Sequence, residues 1–266
     1  MHRVKEMKKI HIFTTYYFLD MENDNKSLDI LGIKPISNAL DTTVTKTFAG
    51  IEAFLKSVCE PALEEVGLML RDKFRYWRLN NILKMLEKAE GKLHFDGTDL
   101  KIHAHPRVAL AIIENSSLND NNEIQELWAG LFASSCTLTG QDDENLIFVD
   151  LLKQLTTVEA KILEYACKNS QKILFKNGLI MGKDLNVTFA FLTQLTGVND
   201  VYRIDRELDH LRSLELLGQD GGFLAEGQEL IADISASALA LNLYVRCQGS
   251  LLSVAEFWKE SLITQE

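Results

Sequence analysis

Apolar residues recur at helical spacing along most of this chain. Between residues 37 and 58 they fall at Ala39, Leu40, Val44, Phe48, Ile51, Phe54 and Leu55, the rhythm of one buried helical face. A second, longer helix is predicted over residues 61–89. Pro61 suits a first turn, where its missing N–H has no partner to lose. Glu60, Glu64 and Glu65 crowd its start, and Arg71, Lys73, Arg75, Arg78, Lys84 and Lys88 follow, an order that complements the helix dipole. Leu63, Val66, Leu70, Phe74 and Trp77 line one face, and Gly91 supplies a stop. Pro106 opens a helix over 107–115, and another is expected over 123–136, with Asp120 and Glu123 at capping-box spacing. There Trp128, Leu131 and Phe132 share a face, predicted to pack on the 61–89 helix. The small residues Ala129, Gly130, Ala133, Ser134 and Ser135 would allow close approach.

After a loop rich in Thr, Gly and Asp over 137–145 the texture changes. A short helix is expected over 148–155. Thr156 and Glu159 form a capping box ahead of a helix over 158–168. A short strand over 173–180, a helix over 186–196, a turn at Gly197 and a helix over 201–214 follow. In the last of these Ile204, Leu208, Leu211 and Leu214 share one side. A turn at 220–222 and a β-like run over 223–235 complete the order helix, strand, helix, turn, helix, two-strand wing, which is that of a winged helix. Closing helices are predicted over 236–246 and 253–262, the second with Ser253 and Glu256 at capping-box spacing. The pattern gives a mainly α fold: an N-terminal helical bundle over 31–140, then a winged-helix-like α+β region over 141–266. Residues 1–30 are read as an extension. Its basic and partly apolar start lacks a cleavage site, and Met21 is an alternative start.

Composition narrows the function classes. The 266 residues carry a net charge of −10, with 46% hydrophobic and 25% charged residues, an ordinary globular mixture. Such an acidic chain is a poor general polyanion binder, so a nucleic-acid site would need a local basic patch. No apolar run is long enough to span a membrane. Cys59, Cys136, Cys167 and Cys247 are scattered without CxxC pairing, which reads as reduced, mostly buried thiols in a cytoplasm.

Candidate chemistry is thin. His94, His103 and His105 cluster without a carboxylate or cysteine at ligand spacing, so neither a metal nor any other cofactor is expected. Gly218, Gly221, Gly222 and Gly227 lack the context of a phosphate loop and fit a wing turn. Arg75-Tyr76-Trp77-Arg78 mixes basic and aromatic residues, as some single-strand binders do. The simpler reading puts Trp77 in the core with arginine stems along its rim. The 201–214 helix offers Arg203, Arg206 and Arg212, yet Asp200, Asp205, Glu207, Asp209 and Glu215 accompany them. A helix for the major groove needs a net positive face. Arg75, Arg78, Arg203 and Arg206 are therefore the candidates for partner or nucleic-acid contact, with charge favouring a protein partner.

Several segments in order resemble the bacterial abortive infection alpha family: LGIKP at 31–35, TFAGIEAFL at 47–55, the 61–83 stretch PALEEVGLMLRDKFRYWRLNNIL, ELWAGLFASS at 126–135, FVDLLKQLTTVEAKIL at 148–163, and LALNLYVRC at 239–247. The resemblance spans about residues 21–250. It implies a cytoplasmic bacterial protein of anti-phage defence, and it carries over no active-site residue. The expectation is a non-enzymatic interaction protein, with a homo-oligomer left open. A winged-helix DNA-binding transcriptional regulator is the alternative. Membrane disruption by the long helices is disfavoured because their apolar faces are used by the core.

Overall fold

The structure is a computed structural model that describes residues 59, 75–93, 102–224 and 229–264. The helix expected over 37–58, most of the first half of the 61–89 helix, and residues 1–30 lie outside the described residues. Within them the fold is mixed α+β, mainly helical, with small sheets.

Helix α1 (Arg75–Lys92) buries Leu79, Ile82, Leu83, Met85, Leu86 and Ala89. It runs through Gly91 and ends one residue later than the glycine stop predicted. Trp77 departs from expectation: it is 39% exposed, and its Nε1 donates to Asp120 Oδ2 at 3.3 Å. Leu79, two residues on, is buried, so Trp77 stands at the rim of the inward face that the described part of α1 presents.

Strand β1 (His103–Ala104) pairs antiparallel with β2 (Cys136–Thr137). Between them stand α2 (Pro106–Ser117), with proline in its first turn, and α3 (Asn122–Ser134). Asn121, not Asp120, caps α3: its Oδ1 accepts from the backbone N–H groups of Glu123 and Ile124 at 3.0 and 3.1 Å. Asp120 is one residue too early and is engaged by Trp77.

Helix α3 is the centre of the molecule. It buries Trp128, Leu131 and Phe132, and α1 lies along it as predicted. Its one glycine serves a different neighbour. A Cβ built on Gly130 would sit 1.6 Å from the carbonyl oxygen of Cys247. Gly130 thus admits the end of α8 (Ala238–Cys247), which crosses α3 there.

Helix α4 (Leu146–Leu152) leads to α5 (Thr157–Asn169), whose capping box forms as the sequence indicates: Glu159 N–H donates to Thr156 Oγ1, and Thr156 N–H to Glu159 Oε2. The strand expected over 173–180 is a hairpin, β3 (Gln171–Leu174) and β4 (Ile180–Lys183), with Ile173 opposite Met181. The break falls at Asn177-Gly178, where Gly178 takes φ +85°, a conformation that glycine adopts without a Cβ penalty.

The helix expected from 186 starts later. Asn186–Thr188 forms β5, and Thr188 caps α6 (Phe189–Thr196) through a bond from Phe191 N–H. Gly197 ends α6 in the left-handed region, and α7 (Val201–Ser213) follows. Strands β6 (Gly222–Phe223) and β7 (Ile231–Asp233) complete a sheet of order β5-β7-β6, all antiparallel.

The last expectation needs correction as well. Only α9 (Val254–Phe257) forms, with the Ser253–Glu256 capping box, and β8 (Leu262–Thr264) then pairs in parallel with β3. The β-branched Ile263 and Thr264 favour that ladder over a further helical turn. One buried cluster takes in side chains on both sides of residue 140, from Ile82 and Trp128 to Leu208 and Leu241.

Candidate partner-contact surface

Helix α7 carries two of the four candidate arginines. Asp200 caps it, accepting from Tyr202 and Arg203 N–H groups at 3.0 and 3.2 Å. Ile204, Leu208 and Leu211 are fully buried and fix which side faces inward. Beside this apolar stripe runs a polar one, Arg203, Glu207 and His210, at spacings that share a helix face. It meets the N-terminus of α5. Thr156 Oγ1 donates to Glu207 Oε2 at 2.6 Å, Arg203 Nε lies 3.5 Å from Glu207 Oε1, and His210 Nδ1 lies 2.6 Å from Glu159 Oε1.

The Glu159 carboxylate is 1% exposed. Burial pushes its pKa above the ordinary range, opposed by the bond from Thr156 N–H and by His210. The sequence shows Glu159 as a cap. Its second role, as the partner of a histidine in the last turn of α7, depends on a contact 51 residues away that no local pattern reports.

The outward face of α7 is different. Tyr202 is 76% exposed, the most open large side chain among the exposed hydrophobics. Arg206 is exposed near it in sequence. Arg212 is tied back by Asp209 Oδ1 at 2.5 Å and by the Gly221 carbonyl at 3.0 Å. The segments that flank residues 225–228 add exposed Leu224 and Leu230, and the Phe223 and Phe189 rings meet tilted at 58° with centroids 6.3 Å apart.

The other two candidates lie on a separate helix, α1. Arg78 donates through Nε to Ser117 Oγ at 3.1 Å; the Arg75 side chain lies outside the described residues. An open cleft of about 530 Å³ is lined by Lys84, Glu87, Lys88, Asp120, Asn122 and Gln125; Arg78 is not among its lining residues. Lys88 and Lys92 both bind Glu126. Burial works to raise the Glu126 pKa, but these two bonds bring it below the usual value.

His103 lies in β1 and His105 precedes α2, while His94 lies outside the described residues. Among the described residues no three His, Cys, Asp or Glu side chains are grouped to hold a metal. All four cysteines are buried and none is in a disulfide, as their spacing suggested. Burial, with Cys59 alongside, pushes the Cys136 thiol up to about 12, which removes thiolate reactivity near neutral pH. No helix among the described residues is long and apolar enough to cross a membrane.

The family model described as abortive infection alpha matches residues 78–238, more than half of the chain. This protein belongs to the abortive infection alpha family. The matched stretch begins at Arg78 on α1 and ends with the first residue of α8, so it contains α3, the α5–α7 joint and the β5-β7-β6 sheet. It is shorter than the 21–250 span of the segment resemblance. No curated protein and no solved structure matches the chain.

Proposed function

We propose that this abortive infection alpha protein is a non-enzymatic component of bacterial anti-phage defence that works in the cytoplasm through protein contacts. Family membership carries the reading. The contact mode is supported by the charge arrangement of α7: Arg203 is turned to Glu207 and Arg212 to Asp209, while Arg206 and Tyr202, one helical turn apart in sequence, are both exposed. A helix whose arginines are largely neutralised by their own neighbours is poorly suited to phosphates, whereas exposed tyrosine and arginine are typical of residues that anchor protein interfaces.

In this proposal α5, β5, α6, α7 and the β6–β7 pair make a winged-helix-like unit, a reading supported by the β5-β7-β6 order. The helices before it form the N-terminal bundle, and the outward face of α7 is the contact surface. Arg75 and Arg78 would line a second contact on α1.

Expression in a phage-sensitive bacterium tests the proposal. Fewer plaques together with death of infected cells is expected. Unreduced plaque numbers across a phage panel, or a nuclease or hydrolase activity in the purified protein, would contradict it. The winged-helix regulator reading, motivated by the same element order, predicts retardation of genomic DNA fragments at moderate salt. Absence of any shift would end it.

A further inference from the structure

The 16 residues from Lys168 to Lys183 hold four lysines and no Asp or Glu, in a chain whose net charge is −10. The structure folds most of this stretch into the β3–β4 hairpin. Two of the lysines are already committed. Lys168 pairs with Glu164 at 2.6 Å. Lys172 is buried, with its Nζ 4.2 Å from the centroid of the Trp258 ring and donating to the Lys168 carbonyl.

The other two, Lys176 and Lys183, are exposed. Lys183 Nζ stands 5.1 Å over the Phe175 ring, a cation–π contact that restrains a side chain which would otherwise be free. Lys176 is at the tip, next to the tight Asn177-Gly178 turn, and Leu179 beside it is 53% exposed. The hairpin thus presents Lys176 and Leu179 at its turn, and Lys183, whose Nζ reaches from the end of β4, beside exposed Asp184, back to Phe175. Its back is secured: Gly182 N–H donates to the Ala236 carbonyl at 2.7 Å, and β3 is paired on both sides.

We infer that the β3–β4 hairpin is a docking surface for an acidic polypeptide segment that bears an apolar residue. Lys176 and Lys183 take carboxylates, and Leu179 meets the apolar side chain. Charge decides between polyanions. A nucleic-acid duplex carries a charge about every 1.7 Å, and the acidic bulk of the protein repels such a density more than it repels a short acidic peptide. Two lysines are also few for a phosphate track. The inference rests on the protein-contact reading above but concerns a surface distinct from α7.

The test is fluorescence anisotropy with the full chain, using a labelled Glu-rich peptide with a central Leu, the same peptide with Gln for Glu, and a labelled DNA duplex. The Glu-rich peptide is expected to bind, to weaken as salt rises from about 50 to about 200 mM, and to lose about tenfold or more in affinity in Lys176→Glu/Lys183→Glu. Lys176→Gln/Lys183→Gln, which avoids adding charge, is expected to show a smaller loss in the same direction.

Unchanged affinity in both variants, equal binding of the Gln peptide, or tighter binding of the duplex would overturn the inference. So would self-association of the wild type that the charge swap abolishes, because the occupant would then be a second copy. Phage protection in cells by a protein that ignores the peptide would sink this inference and leave the defence function standing; peptide binding without protection would do the reverse.

Discussion

Helices α1, α3 and α8 are joined mainly by apolar contact, with the Lys88 and Lys92 bonds to Glu126 at the rim of the α1–α3 seam, whereas α5 and α7 are joined also through a buried carboxylate. In the first group Trp128 and Phe132 are fully or almost fully buried, and Gly130 lets the α8 backbone touch α3. In the second, the apolar stripe Ile204, Leu208 and Leu211 runs beside Arg203, Glu207 and His210, of which Glu207 reaches Thr156 and His210 reaches Glu159. Apolar packing depends on shape and tolerates little change in volume. A polar joint depends on protonation and on keeping its partners. The first region should therefore respond mainly to substitutions of size, and the second also to pH and charge.

The sharpest way to break this contrast is at Gly130. Gly130→Leu puts a side chain where the Cys247 carbonyl lies, and backbone cannot rotate away as a side chain can. A loss of about 5 kcal/mol or more is expected, seen as absence of soluble folded protein. Soluble Gly130→Leu with native circular dichroism would mean that the α3–α8 crossing is wrong. Trp128→Ala comes next. Removing this side chain should cost about 3–5 kcal/mol and lower the thermal midpoint by about 6–20 °C for a domain of this size. An unchanged midpoint would take Trp128 out of the core.

The polar joint gives a smaller and pH-dependent effect. Glu159→Gln keeps an acceptor for the Thr156 N–H and removes a charge that burial disfavours, so a gain of about 1 kcal/mol is expected near neutral pH. The sign against pH follows from burial. With its native pKa raised above the ordinary 4.5, Glu159 binds its proton more tightly in the folded state. Its contribution to stability is then greatest below about 4.5 and falls as pH rises from there toward the raised value. Urea titrations across that window should show the slope in the wild type and a flatter one in Glu159→Gln. Equal slopes would remove Glu159 from the account. The smallest effect belongs to Trp77→Ala. It leaves the core intact and loses one exposed bond to Asp120, for a change of under about 1 kcal/mol.

Much of this arrangement was legible from local pattern. The capping boxes at Thr156 and Ser253, the stop at Gly197 and the apolar face of α7 each depend on residues within one or two turns, and each formed where the spacing placed it. The errors share a different cause. Trp77 fits a helical stripe, but whether a stripe's end is buried depends on where the neighbouring helix stops. Residues 173–180 alternate poorly, and the Asn177-Gly178 turn splits them into two paired strands. The tail after Ser253 has a helix start, yet β3 supplies an edge that takes Leu262–Thr264 into a sheet. Gly130 was recognised as permitting close approach, but not that α8 would fill the space. The α7 arginines were visible as candidates. Their pairing to Glu207 and Asp209 makes the face nearly neutral, and that depends on side-chain geometry within the folded helix. The Glu159–His210 contact and the lysines held over Phe175 and Trp258 required the fold.

The most direct test of function by protein contact is phage plating with Tyr202→Asp/Arg206→Glu. Both side chains are exposed on α7, so the variant should keep the wild-type thermal midpoint while losing protection of infected cells. Full protection by this correctly folded variant would contradict the assignment of α7 as the contact surface.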